Sequence, residues 1–326
     1  MENAIDRLID KIKQTKNPTV MGLDPRYEMI PKCVTDKYTK DLNGVSKAIV
    51  EYNKELIDAT YDIIPAIKPQ IAFYEMYGIP GMEAFKQTCQ YARQKKMIVI
   101  ADIKRGDIGS TAKGYSNAYL GKTKIGEKEQ NIYDIDFVPV NPYMGTDCVK
   151  PFIEDCKKYQ KGLFILVKTS NPSSGELQDL KLETGEEIYT QVAKLVEKWG
   201  EELRGKYNYS SIAAVVGATY PKQLEDIRKV APHTYFLIPG YGAQGGKASD
   251  IALGFDKQGL GGIVNASRSL MCAYNSEMWK NQFEEKDYAK ATRAEAIRMR
   301  EELKIAIGSG LPSVPGLFGN KFLNEK

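Results

Sequence analysis

Eight short runs rich in β-branched and aliphatic residues recur along the chain. They are PTVMGLD (18–24), IIPAIKPQ (63–70), KMIVIADIK (96–104), DFVPVNP (136–142), GLFILVKTS (162–170), SIAAVVGAT (211–219), TYFLIPGYG (234–242) and GGIVNASRS (261–269). Between them the apolar spacing becomes helical, as at 44–60 (Val45, Ile49, Tyr52, Leu56, Ala59) and 185–200 (Ile188, Val192, Leu195, Trp199). Nearly continuous apolar strands that alternate with such helices signal a parallel sheet covered on its outer face. Eight units close most naturally into a (β/α)8 TIM barrel, an α/β fold in a single domain over residues 1–308. No internal repeat supports the count, so an open doubly wound sheet is the alternative. A long final helix is predicted at 282–307, and the Gly/Pro-rich stretch 309–326 reads as an extended or mobile tail. The connections 121–135 and 171–184 are long and polar, each either a lid or a surface insertion.

The composition excludes several classes of function. At 42% hydrophobic and 27% charged, the 326 residues are ordinary for a soluble chain. No stretch approaches the roughly 18 consecutive apolar residues of a membrane span, so no membrane partner is expected. The opening MENAIDRLIDKIKQTK spaces Ile5, Leu8, Ile9 and Ile12 helically among charges, which reads as an amphipathic helix rather than a secretory signal. A cytoplasmic home follows as the expectation. Cysteines at 33, 89, 148, 156 and 272 lack zinc or disulfide spacing and read as reduced and mostly buried. A net charge of +4, with lysines mixed among glutamates, leaves no nucleic-acid footprint. The one histidine, His233, excludes a histidine-rich metal site and reads as a surface-turn residue. Acid and base work then falls to carboxylates and lysines.

In a barrel of this kind chemistry is done at the carboxyl ends of the strands. Read there, the sequence offers Asp24, Lys68, Asp102, Lys104, Asp107, Asn141, Lys168, Ser170, Thr219, Gln244 and Arg268. Asp102 and Lys104 are two apart, so a pleated strand sends both to one face, into the barrel mouth. Lys68 adds a second ammonium from the adjacent strand, and Asp107 lies beyond the strand end, able to fold back or reach a neighbouring molecule. A polar cap is the plain alternative for any one of these charges. A neutral Lys-Asp-Lys-Asp cluster is a weak device for stability, which favours chemistry. Gly240, Gly242 and Gly245 satisfy G-x-G-x-x-G, but after the seventh strand and without the acidic residue of a dinucleotide site. Their exposed amides suit an anion, and with Arg268 after the eighth strand they point to a phosphate. Before any family is considered, Asp24 also reads as an Asp-Pro turn and Thr111 as a helix cap.

With these residues in view the chain resembles the orotidine 5'-phosphate decarboxylase family over all eight strands, from Asp24 to Arg268. Its length resembles the larger bacterial subgroup. ADIKRGDIGST is similar to the family's D-x-K-x-x-D signature, joined here to the upstream Lys68 and a PGxGAQGG loop. The resemblance implies loss of CO2 from C6 of orotidine 5'-monophosphate to give uridine 5'-monophosphate in pyrimidine biosynthesis, with neither metal nor organic cofactor. It implies that Lys104 stabilises and protonates a C6 carbanion and that Asp102 sits beside the substrate carboxylate. Lys68 holds Asp102 and contacts the ribose. Asp107 completes the array from the other subunit of a homodimer with shared active sites.

The same resemblance implies ribose contacts from Asp24 and, across the dimer, Thr111. It implies a pyrimidine edge read by Ser170, Pro239 against the base, and a phosphate gripped by Gln244 and Arg268. Lys168 has no counterpart and reads as solvent-facing or loop-stabilising. Some members carry a tyrosine three residues after the arginine, where this chain has Met271. Sister enzymes that hold Mg2+ place an acid where this chain has Lys68, and a lysine there repels a divalent cation. A catalytically silent nucleotide-phosphate binding protein is the reading from another class.

Overall fold

The computed structural model describes residues 2–241 and 246–308; the predicted tail, 309–326, lies outside them. Eight parallel strands form the barrel: β1 (Thr19–Leu23), β2 (Ala66–Pro69), β3 (Ile98–Val99), β4 (Phe137–Val140), β5 (Gly162–Lys168), β6 (Ser210–Val216), β7 (Thr234–Ile238) and β8 (Gly262–Ala266). A helix, α1 (Ala4–Thr15), precedes them. Each strand is then followed by a covering helix: α2 (Leu42–Thr60), α3 (Gly78–Gln94), α4 (Gly109–Tyr119), α5 (Thr146–Tyr159), α6 (Ile188–Trp199), α7 (Pro221–Val230), α8 (Ala248–Ala252) and α9 (Tyr288–Ile307). The ladder runs β3-β2-β1-β8-β7-β6-β5-β4. Its two ends meet through single parallel bridges, Ile100 with Phe137 and Arg105 with Val140, and the Ala101 N–H donates to the Phe137 carbonyl at 2.9 Å. The eight predicted runs are therefore the eight strands, and the open-sheet alternative falls.

Strand parity explains the two hydrophobic clusters. Val20, Ala66, Ile98, Ile100, Phe137, Phe164, Ala213, Tyr235, Leu237 and Ile263 point inward and form one cluster with Ala4, Ile5, Leu8, Ile9 and Ile12 of α1. Their neighbours one residue away, such as Met21, Ile67, Val99, Val138, Ile165, Ala214, Phe236 and Val264, point outward under the helices. The apolar stripe of α1 thus closes the amino-terminal end of the barrel, and each buried aliphatic side chain there is worth roughly 1.5–3 kcal/mol as an upper estimate. Asn3 caps α1 by accepting from the Ile5 N–H at 3.2 Å.

Two expectations shift locally, and for the 121–135 connection the surface-insertion alternative holds. The last helix starts at Tyr288 rather than 282, because 285–287 is a separate short 3-10 turn. The 121–135 connection folds into an exposed hairpin, Thr123–Ile125 against Lys128–Gln130, and contributes no residue to the mouth of the barrel. His233, just before β7, is partly buried, and its Nδ1 lies 2.6 Å from Glu197 Oε1 of α6, at the end of the barrel opposite the strand carboxyl termini. All five cysteines are free, three of them buried, one intermediate and one exposed.

Candidate active site

Continuing the inward rows by two residues towards the strand carboxyl ends replaces apolar side chains with polar ones. β2 gives Lys68 and then Gln70; β3 gives Asp102 and Lys104; β8 gives Asn265 and Ser267; Asp24 follows β1. These side chains surround a cavity of about 590 Å³, also lined by Ser170, Asn171, Pro239, Arg26 and Arg268. That size is typical of a small-molecule site.

Asp102 is the centre of the charges. Lys68 Nζ donates to its Oδ2 at 2.5 Å and Lys104 Nζ to its Oδ1 at 2.5 Å, while Gln70 Nε2 donates to Oδ2 at 2.9 Å. Asp102 and Lys68 are only 4% and 5% exposed, whereas Lys104 rises to the mouth with its side chain nearly half exposed. Lys104 has φ of +44°, a left-handed conformation that costs a non-glycine residue of order 1 kcal/mol or more and is concentrated at functional sites. Burial disfavours the Lys68 ammonium, but the carboxylates of Asp102 and Asp24 outweigh it and hold its pKa above the ordinary value. Burial likewise disfavours the Asp102 carboxylate, and Lys68 and then Lys104 reverse the balance, so its pKa lies below the ordinary range. Lys68 and Asp102 are thereby both kept charged at neutral pH, and each Asp102 oxygen accepts from a lysine, Oδ2 from Lys68 and Oδ1 from Lys104. A divalent cation would have to displace them, and no cluster of three metal-binding side chains exists among the described residues.

The remaining sequence candidates divide. Asp24, Ser170, Pro239 and Arg268 line the same cavity. Asp24 Oδ1 and Asn265 Oδ1 are buried there with no hydrogen-bond partner among the described residues, two acceptors suited to hydroxyl donors. Gln244 lies outside the described residues, as do Gly242 and Gly245. Asp107 does not reach the cavity of its own chain, and its Oδ1 accepts from the Ile108 N–H at 2.8 Å. Thr111 is exposed in the first turn of α4. The cap position there belongs to Ile108, which makes no side-chain cap bond, so the helix-cap reading of Thr111 is set aside. Met271 is fully buried and turned beneath β1, where its sulfur accepts from the Asp24 N–H at 3.1 Å. The residue in the tyrosine's position therefore supports Asp24 from below.

Lys168 corrects one expectation. It is 0% exposed, so it does not face solvent. A register shift between Leu166 and Lys168 breaks the inward parity of β5 and buries the side chain against Tyr220 and Tyr189, where Nζ donates to Asp179 Oδ1 at 2.7 Å. Its loop-stabilising alternative stands. Gln70 and Asn265 are not among the strand-end candidates read from the sequence, although the two-residue step from Lys68 and from Ile263 identifies both. Arg26 was reachable from its place two residues after Asp24.

Comparison with known proteins adds an independent line. Residues 20–279 match the family described as Orotidine 5'-phosphate decarboxylase / HUMPS. The orotidine 5'-phosphate decarboxylase of Caldicellulosiruptor bescii is 40% identical over 311 residues, covering 94% of this chain and 100% of its own. That of Rhodopirellula baltica is 42% identical over 294 residues, covering 90% of this chain and 96% of its own. A crystal structure of a protein from Streptomyces avermitilis described as a putative orotidine 5'-phosphate decarboxylase superposes with a TM-score of 0.74 at 26% identity, over 94% of this chain and 96% of that one.

Proposed function

The chain belongs to the orotidine 5'-phosphate decarboxylase family, and from that premise we propose how its own residues carry out the reaction. The activity is decarboxylation of orotidine 5'-monophosphate to uridine 5'-monophosphate in pyrimidine biosynthesis. Its difficulty is a carbanion at C6 with no electron sink, so the protein must supply the stabilisation electrostatically.

The observation that carries the proposal is the Lys68–Asp102–Lys104 array at the strand ends, buried at Lys68 and Asp102 and open to the mouth at Lys104. In this reading the substrate carboxylate lies beside Asp102. Two unit charges about 4 Å apart repel by roughly 4 kcal/mol at an effective dielectric of about 20, and that repulsion vanishes as CO2 leaves. The C6–carboxylate bond breaks with its electron pair left on C6, facing the Lys104 ammonium. Lys104 then transfers a proton to C6, giving uridine 5'-monophosphate, and is reprotonated from solvent at the mouth. Lys68 fixes Asp102 and, with the unpaired oxygens of Asp24 and Asn265, takes the ribose hydroxyls. Ser170 reads the pyrimidine edge and Pro239 lies against the base. Arg268, with Gln244, takes the phosphate through its planar fork.

The dimer belongs to the same proposal. Asp107 and Thr111 sit on a rim that carries exposed Met76, Ile79, Ile108, Tyr143 and Met144. The loops bearing these residues adjoin, since Arg105 pairs with Glu75 and Gly106 packs against Asn141. Such a surface fits a second copy of this chain whose Asp107 and Thr111 reach the neighbouring mouth. No helix among the described residues is long and apolar enough to cross a membrane, and a cytoplasmic location is part of the reading.

The test is Lys104→Ala. Turnover, followed by the absorbance change as orotidine 5'-monophosphate is consumed, is expected to vanish while uridine 5'-monophosphate binding largely survives. Activity within about tenfold of the parent, little more than 1 kcal/mol of barrier, removes Lys104 from its assigned role.

A further inference from the structure

A fully buried lysine outside the charged array is a strongly polar group near the cavity that the reaction scheme leaves unused. Lys168 ends β5, and two and three residues later Ser170 and Asn171 reach the cavity wall. The chain then leaves on the 171–184 excursion and comes back past a short helical turn, Gly175–Gln178. Its base is clasped twice. Lys168 Nζ donates to Asp179 Oδ1 at 2.7 Å and to Ser174 Oγ at 3.2 Å. Gln178 Oε1 accepts from the Thr169 N–H at 2.9 Å, while its Nε2 donates to Thr169 Oγ1 at 2.8 Å. Asp179 is tied in turn to α7, because Gln223 Nε2 donates to the same Oδ1 at 3.1 Å. The Lys168 ammonium also stands 4.8 Å from the centre of the Tyr220 ring, a cation–π distance.

Burying an ammonium is costly unless every donor finds a partner, and a buried ion pair adds little net stability over an apolar pair. What such a pair supplies is one fixed arrangement. We propose that Lys168 is a positioning residue for pyrimidine recognition: by fastening Asp179 under the loop it holds Ser170 and Asn171 on the cavity wall. This rests on the reading of Ser170 as a pyrimidine contact. The β5 irregularity that turns Lys168 out of the mouth is what makes the clasp possible. An undistorted strand would aim the ammonium at the substrate. Displacement of a recognition group by about 1 Å is enough to cost on the order of tenfold to a hundredfold in rate.

The experiment is a cycle of Lys168→Met and Ser170→Ala, singly and together, with Asp179→Asn as a second way to open the clasp should Lys168→Met fail to fold. Thermal unfolding checks each protein. Lys168→Met and Asp179→Asn are expected to lower kcat/KM for orotidine 5'-monophosphate about tenfold or more and to add little once Ser170 is already alanine. Competitive inhibition by ribose 5-phosphate, which has no pyrimidine, is expected to stay at the parent value. Equal losses in both backgrounds, or equal weakening of ribose 5-phosphate, would mean general damage to the mouth and overturn the proposal. A Ser170→Ala enzyme with parental kcat/KM overturns the reading of Ser170, and this inference with it. A large Ser170→Ala effect beside a parental Asp179→Asn overturns the clasp alone.

Discussion

Asp102→Asn separates two roles that the central carboxylate plays. As a scaffold it holds Lys68 and Lys104 at 2.5 Å each; as a charge it repels the substrate's own carboxylate. Asparagine keeps the shape and one acceptor but removes the charge. If the repulsion is the roughly 4 kcal/mol expected for unit charges about 4 Å apart at a dielectric of about 20, its loss slows kcat by about a thousandfold. The bound substrate is relieved of the same strain. KM for orotidine 5'-monophosphate should therefore fall or hold while kcat collapses, and affinity for uridine 5'-monophosphate, which lacks the carboxylate, should stay close to the parent's. Two ammonium groups are left facing each other, one of them buried, so the fold should lose about 3–5 kcal/mol in urea unfolding. Steady-state kinetics and calorimetric titration with uridine 5'-monophosphate read both arms. Equal weakening of substrate and product affinity alongside kcat would show that Asp102 only scaffolds its lysines, and the electrostatic argument would fail.

Other expectations follow from the same geometry. Mixing Asp107→Ala with Lys104→Ala protomers should restore part of the activity through hybrid dimers with one intact shared site; verified hybrids that stay inactive would remove Asp107 from the partner's mouth. Asp102, held below its ordinary value of 3.8, contributes fully above that pH and loses its contribution only as pH falls through the lowered value. Lys68, held above 10.5, contributes fully below that pH and loses its contribution as pH rises through the raised value. Neither should produce a limb in the pH profile of kcat/KM between those limits, and a limb there that Asp102→Asn abolishes would contradict the assignment. Leu8→Ala in α1, a side chain with no exposure, should cost about 2–5 kcal/mol in urea unfolding and leave KM unchanged; a loss below about 1 kcal/mol would mean that α1 does not seal the barrel.

What was legible in the sequence follows strand parity. The alternation that separates Val20, Ala66 and Ile263 from Met21, Ile67 and Val264 is set by a two-residue period, so the eight strands and the inward Lys68, Asp102 and Lys104 could be found by counting. Counting fails where the ladder is irregular. Lys168 reads from the sequence as solvent-facing or loop-stabilising, and its burial is not legible there because the shift after Leu166 leaves no trace in composition. Gln70 and Asn265 are within reach of the same count, two residues beyond Lys68 and Ile263. Met271 could be compared by type but not by direction, since nothing in SRSLM tells that its sulfur turns towards the Asp24 backbone. Asp107 was identified as a charge beyond the strand, and its absence from its own cavity is a matter of loop path.

The seating of α1 bears on how the chain comes off the ribosome. β1 finds its second neighbour only in β8, Thr19 pairing with Val264, and the apolar stripe of α1 packs against side chains drawn from strands all around the circle. At about 5–20 residues per second, on the order of ten seconds or more separates synthesis of that helix from completion of its seat. During that interval its greasy face has no final home, so a chaperone that masks short amphipathic segments would act on this protein chiefly before the eighth strand emerges.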